Sequence, residues 1–273
     1  AIHRIVVNSE GSVKIYESLP KPKDEEAYEF VDLGLPSGLL WATRNVGASR
    51  PEESGSYYSW GETMPKSNYD WNTYKYCNGS NTTLTKYCYS SDFGAVDNKF
   101  ILDEEDDAAT INWGKSWRLP TIDEAIELCY NSTWSKGNLN GVDGFYVKGP
   151  NGNSIFIPLA GYKEGSETIE EGFSLYLFLS TLYYDDNDEK HPDYGNFLFC
   201  DGSQYGWGGV ERFCGFTVRA VKKTDSSGMT NRQFNQGNEE KIYDMHGRLL
   251  TKMGKGLNIL RMRDGTTKKI IIQ

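Results

Sequence analysis

The strongest constraint on this chain is how short its apolar runs are and what breaks them. Between Val31 and Gly61 the runs Leu33, Leu39-Leu40-Trp41-Ala42 and Tyr57-Tyr58-Ser59-Trp60 are interrupted by Gly34, Pro36, Gly38, Gly47 and Gly55. The arrangement returns in Trp113-Gly114-Lys115-Ser116-Trp117-Arg118-Leu119-Pro120-Thr121. Gly and Pro at such intervals impose short strands around tight turns instead of long elements. No set of reactive side chains accompanies them. Trp41, Trp60, Trp117 and Arg118 are therefore expected to be structural core of an irregular, loop-rich domain.

The 273 residues suffice for one large or two modest domains. Hydrophobic residues make up 38% and aromatic residues 14%, with 18 Tyr and 7 Trp. Large aromatics fill a core where aliphatics are scarce, and they also favour recognition surfaces. A net charge of -9 argues against a nucleic-acid partner, which needs a basic stripe. The basic stretch from Arg261 to Lys269 is short, contains Asp264 and reads as a solvated strand edge. No run of 18 apolar residues occurs, so no membrane-spanning segment is expected. The five cysteines lack CxxC spacing, which argues against zinc. Cys77/Cys88 and Cys200/Cys214 each bracket a segment short enough for a hairpin, which leaves a disulfide at either open.

In chain order, Arg4–Val7 and Val13–Tyr16 predict a hairpin, and Pro20 and Pro22 mark a linker. Short strands are expected over residues 29–33, 39–43 and 57–60. Residues 64–93 read as a long polar loop, functional or peripheral. Five acids, Asp103 to Asp107, open a short helix over 104–112 and read as its solvated start. Thr121 with Glu124 forms a capping box for the main helix, near 121–130, whose apolar face holds Ile122, Ala125, Ile126 and Cys129. Residues 138–144 read as turn, 145–147 and 154–157 as a hairpin, 160–172 as loop, and 173–184 as strand. A last hairpin is expected from 197–200 and 213–221 around a Gly-rich turn at 201–209. Four short strands are expected after residue 241.

The order of these words resembles a known family. Val31-Asp32-Leu33-Gly34-Leu35-Pro36-Ser37-Gly38, Trp41-Ala42-Thr43, Asn45-Val46-Gly47-Ala48, Tyr58-Ser59-Trp60-Gly61-Glu62, Trp117-Arg118-Leu119-Pro120-Thr121, Pro158-Leu159-Ala160-Gly161-Tyr162 and Val218-Arg219-Ala220-Val221 are similar to the Fibrobacter succinogenes major paralogous domain. That family consists of secreted bacterial proteins. The resemblance covers about residues 29–222. It implies an α+β, loop-rich fold related to formylglycine-generating enzymes and C-type lectins. Two departures stand out: Phe178-Leu179-Ser180 replaces a common Trp-Ser-Ser, and Arg44 replaces a common Cys. The residues from Ile242 to Ile272 resemble the C-terminal sorting tails of secreted Bacteroidetes proteins. That tail looks short, so the N-terminal hairpin is expected to complete a small all-β module from the chain ends. The expected organisation is an N-terminal β-hairpin (1–18), a linker (19–28), a C-type-lectin-like domain (29–223), a second linker (224–240) and a C-terminal β module (241–273).

His3, His191 and His246 lie in three separate segments, and no nucleotide-binding motif occurs. The binding reading centres on aromatic and polar residues of two late loops. Tyr183, Tyr184, Tyr194, Tyr205 and Trp207 offer faces that stack on sugar rings, and Asp185, Asn187 and Asp193 offer partners for hydroxyls. No cofactor is expected. Calcium is the alternative, held by Asp185, Asp186 and Asp188 as hard oxygen ligands. These readings describe a secreted or cell-surface, adhesin-like, non-enzymatic protein of a gut-type Bacteroidetes organism. Its expected partner is a glycan or a host or bacterial surface protein. A formylglycine-generating-type enzyme, or a degenerate relative, and a purely structural surface protein are the alternatives. In the enzyme reading Cys200 and Cys214 would supply the chemistry.

Overall fold

The computed structural model describes residues 28–184, 190–202 and 204–222 in full, with the backbone of the strands beyond them. The chain divides into two compact units, Ala1–Thr224 and Asp225–Gln273. In the first, β1 (Arg4–Val7) and β2 (Val13–Tyr16) pair as a two-stranded antiparallel sheet. Strands β3 (Phe30–Asp32) and β4 (Leu40–Ala42) follow, turning at Leu35–Gly38, where the Gly38 N–H donates to Leu35 O at 2.9 Å. Residues 57–60 contribute only a bridge, Tyr58 to Phe216, instead of the expected strand.

The acidic run makes a single 3-10 turn, Glu104–Asp106, before α1 (Ala108–Trp113). Asp107 separates the two because its carboxylate caps α1, accepting from the Thr110 N–H at 2.9 Å. It also takes the Leu119 N–H at 2.8 Å. Both Asp106 and Asp107 are buried, so the expected solvated helix start is corrected for these two acids.

The main helix, α2 (Ile122–Asn131), carries the full capping box between Thr121 and Glu124. Ala125, Leu128 and Cys129 form its buried face, while Ile122 and Ile126 are only half-buried. Arg118 is about 31% exposed and makes a bidentate pair with Glu124, both contacts at 2.7 Å. It pins the Trp117–Thr121 segment to the first turn of α2 and is not part of the buried core.

Beyond α2, β5 (Thr133–Leu139), β6 (Val142–Lys148) and β7 (Ser154–Pro158) form an antiparallel meander. The turn expected over 138–144 narrows to Asn140-Gly141, whose φ values of 51° and 92° suit a type I′ hairpin. Residues 160–172, expected as loop, contain a small hairpin of β8 (Tyr162–Glu164) and β9 (Glu167–Ile169). Next come β10 (Leu175–Leu182), β11 (Tyr194–Cys200) and β12 (Tyr205–Glu211), a three-stranded sheet in that order. The Gly-rich segment expected to be a turn is thus a strand. Residues 213–220 run irregularly to β13 (Val221–Lys222), which pairs with β4.

The second unit forms a four-stranded sheet from β14 (Lys241–Asp244), β15 (Leu249–Leu250), β16 (Gly256–Arg261) and β17 (Thr267–Ile272), in the order β15-β14-β16-β17. Strands β1 and β2 pair only with each other, in a sheet of their own. The tail reaches four strands alone because β16 pairs on both sides, with β14 and with β17.

Two cores meet at β10. Leu175, Leu177 and Leu179 join an aliphatic cluster with Trp41, Leu128, Ile157 and Leu198. Phe178 and Leu182 join an aromatic cluster with Trp60, Trp113, Trp117, Tyr74 and Phe216. A strand covered on both faces reads as one apolar run, which is what residues 173–184 show. Trp41, Trp60 and Trp117 are all fully buried, and Trp60 Nε1 donates to Leu179 O at 2.8 Å. Phe178 stacks on Phe216 at 4.5 Å and the Arg44 guanidinium lies 5.6 Å over the Tyr28 ring.

The polar stretch 64–93 remains a loop, but it sends tyrosines into the core. Tyr69, Tyr74 and Tyr87 are buried, and their hydroxyls donate to Tyr57 O (2.8 Å), Trp60 O (2.8 Å) and Asp106 Oδ2 (2.7 Å). Each hydroxyl that finds an acceptor lets a tyrosine do the work of a phenylalanine in the interior. Among the described residues no helix is long and apolar enough to cross a membrane.

Candidate functional site

Strand β12 is the edge of its sheet, paired along all seven residues with β11. Alternation places Tyr205, Trp207, Gly209 and Glu211 on one face. That face looks toward α2 and β5, whose aromatic residues meet it. Trp134 stacks on Tyr205 (ring centroids 5.3 Å apart, planes at 19°), and Tyr130 approaches Trp207 edge-on at 5.9 Å. Tyr130 is 58% exposed, Tyr205 42% and Trp207 37%, so the cluster is open to solvent.

The row continues past Trp207. Gly209 has no side chain because the Tyr183 ring covers it; a Cβ there would come within 2.4 Å of the ring. Tyr183 lies 6.2 Å from the Tyr194 ring, and Tyr194 stacks with His191 at 4.8 Å. Four of the expected residues, Tyr183, Tyr194, Tyr205 and Trp207, therefore belong to one strand face. Tyr205 and Trp207 are exposed on it, and Tyr183 and Tyr194 are half-buried.

The other expected residues part from this row. Tyr184 belongs to a separate exposed patch, 5.5 Å from Tyr89 and 5.9 Å from Phe100. Asp193, expected to meet ligand hydroxyls, is buried. Its Oδ2 accepts from Asn81 Nδ2 at 2.9 Å, and its carbonyl accepts from the Arg212 N–H at 2.9 Å. It anchors a crossing and presents no carboxylate to solvent. Asp185 and Asn187, and the calcium alternative Asp185, Asp186 and Asp188, lie outside the described residues. Tyr130 and Trp134 were missing from the expected set because they come from α2 and β5 and not from the late loops. Tyr130 departs from the apolar face of α2, which was the available signal.

Charge gathers at the ends of the row. Asp201 Oδ1 accepts from the Gln204 N–H at 2.9 Å in the turn before Tyr205. At the far end burial pushes the Glu211 carboxyl up, and the Asp193 and Glu164 carboxylates push it the same way. Burial, then Glu211, likewise raises the Tyr194 phenol.

A second polar centre sits at the edge of the aromatic core. Oxygens of Asp103, Glu105 and Asp106 lie within 4.8 Å of one another, close enough to hold a cation. The Lys86 ammonium already stands among them, 2.6 Å from Asp103, 3.6 Å from Glu105 and 2.6 Å from Asp106. Tyr76 and Tyr87 donate to Asp106 and Lys75 approaches it at 3.2 Å. Burial alone would raise the Asp106 carboxyl, but these donors outweigh it and hold it below the usual carboxylate range. The group is a partly exposed ion network anchored on buried Asp106, with its cation supplied by lysine.

All five cysteines are free, so neither disulfide left open by the sequence forms. Cys200 lies in the aliphatic cluster and Cys214 in the aromatic one, so the two face different cores. Burial pushes the Cys214 and Cys129 thiols up to about 12 and also raises Cys88 and Cys200. A reactive thiol is one whose thiolate is favoured, the opposite of this setting. In the native protein a thiol reagent is expected to label half-buried Cys77 first. The other four are expected to react only at the rate of unfolding, which a denaturant series with mass spectrometry reads directly.

The cavity lined by Tyr58, Trp60, Glu62, Leu102, Asp106 and Leu119 encloses only about 10 Å³, room for a single water. Ligand pockets begin near 300 Å³, roughly. The exposed row is thus the better candidate. No protein-family model, curated protein or solved structure matches this chain.

Proposed function

We propose that this chain is a non-enzymatic, extracellular binding module that recognises a glycan through the aromatic row on β12. The observation that carries this reading is the exposure of Tyr205 and Trp207 on one face of β12, with exposed Tyr130 from α2 and half-buried Trp134 from β5 packed against them. Large flat rings left in water at an edge strand cost hydration, and a sugar's C–H face covers them well. Polar groups of the 201–204 turn stand beside the rings for the hydroxyls.

The C-type-lectin-like fold and the secreted setting rest on the resemblance of residues 29–222. A mixed α+β unit of short sheets with α2 as its longest helix is compatible with the first. The buried, up-shifted thiols favour binding over cysteine redox chemistry.

The test is a glycan screen followed by titration of the best hit against Trp207→Ala and Tyr205→Ala. Central aromatics dominate recognition energies, so each variant is expected to weaken binding by about tenfold or more, roughly 1.4 kcal/mol. Their melting temperatures should stay close to the parent's, because both rings are surface residues. Unchanged affinity in both variants would remove the row from the binding role.

A further inference from the structure

We propose that the ligand is a linear, uncharged glycan chain lying lengthwise along β12, and not a single terminal sugar. This rests on the binding role given to the row. The length of the row is the first ground. From Tyr205 to Glu211 the strand rises six residues, about 20 Å at roughly 3.3 Å each. Rings or ring-covered positions recur at every second residue: Tyr205 with Trp134, Trp207 with Tyr130, and Gly209 beneath Tyr183. One monosaccharide covers one such position; a chain of flat pyranose rings covers them in sequence.

The second ground is the open edge. Among the described residues no ladder pairs with the outer side of β12, so its backbone N–H and C=O groups stand beside the rings as hydrogen-bond partners. Such groups repeat along the strand and match a repeating row of hydroxyls. The third ground is charge. Asp201 precedes the row and Glu211 ends it, and Glu211 is crowded by Asp193 and Glu164. In a chain of net charge -9, this repels uronate or sulfate groups and suits a neutral polymer.

The test titrates the full chain with β-linked gluco-, manno- and xylo-oligosaccharides of one to six units, beside an oligogalacturonate series of the same lengths. At least one neutral series is expected to gain tenfold or more in affinity between one unit and the longest. That gain should shrink in Tyr183→Leu, which keeps an apolar cover on Gly209 but removes the flat ring. Trp207→Ala should weaken binding at every length. A flat length dependence in a series that does bind overturns the lengthwise chain but leaves glycan binding intact. Tighter binding of the acidic series overturns the neutral ligand. Absence of binding to every series overturns both this inference and the glycan reading it rests on.

Discussion

Arg219→Ala is expected to lower the folding free energy by about 3–5 kcal/mol, a large share of the roughly 5–15 kcal/mol typical of a domain. Arg219 is 0% exposed. Its three hydrogen bonds go to uncharged groups: Nε to Asn45 Oδ1 at 2.9 Å, Nη1 to Ala42 O at 3.1 Å and Nη2 to Phe156 O at 3.0 Å. Burial pushes its pKa down to about 9, so the guanidinium remains charged at neutral pH although its environment resists the charge. The side chain joins β4, β7 and the loop after β4 from one point. Truncation strands three buried acceptors, at about 1–3 kcal/mol each, and relief of the desolvated charge offsets part of that. Arg219→Lys should recover little, because one ammonium cannot reach three oxygens set out for a planar fork. Urea unfolding reads the result as a lower midpoint at unchanged slope. A loss below about 1 kcal/mol would mean the three oxygens find other donors.

Asp106→Asn is expected to cost about 2–4 kcal/mol near neutral pH, because it removes the anion from a buried pair and leaves Lys86 facing fewer charges. Asp106 is 2% exposed, whereas the Lys86 side chain retains 22% exposure and can partly rehydrate, which keeps the cost below that of a fully enclosed pair. The difference between parent and variant carries a pH signature. The Asp106 carboxyl is held below its usual range in the fold, so its contribution is fully present above the unfolded value, about 3.9. It is lost as pH falls through the lower folded value. The stability gap between the two proteins should therefore be flat from about pH 5 to 8 and close only in acid below about pH 4. A gap that closes near neutrality would place the coupling on another group.

Much of the scaffold was legible in the residues. The Thr121–Glu124 capping box, the hairpin of 145–147 with 154–157 and the continuous apolar run that became β10 each follow from a local rule. What was hidden follows from the limits of those rules. β5 reads Thr-Trp-Ser-Lys-Gly-Asn-Leu and is only half-buried at most, so no apolar alternation announces it. β12 reads Tyr-Gly-Trp-Gly-Gly-Val-Glu, which is turn chemistry by composition. Pairing with its hairpin partner β11 and the Tyr183 ring over Gly209 decide its state, and composition shows neither. The same holds for the site. Tyr205 and Trp207 were identifiable as aromatic loop neighbours, but their partners Tyr130 and Trp134 arrive from α2 and β5. Asp193 looked like a loop carboxylate until Asn81 and the Arg212 backbone enclosed it.

The position of β10 between the two clusters sets how this unit tolerates change. Its odd-numbered leucines belong to one interior and its even-numbered residues to the other, so a register slip of one residue would exchange both at once and mismatch each. Neither interior can be redesigned as a separate module while that strand stands between them. The aromatic row lies outside this bargain: Tyr130, Tyr205 and Trp207 can be exchanged in a library without touching the strand that both interiors share. The surface these rings form can therefore change quickly on a framework that is itself nearly frozen.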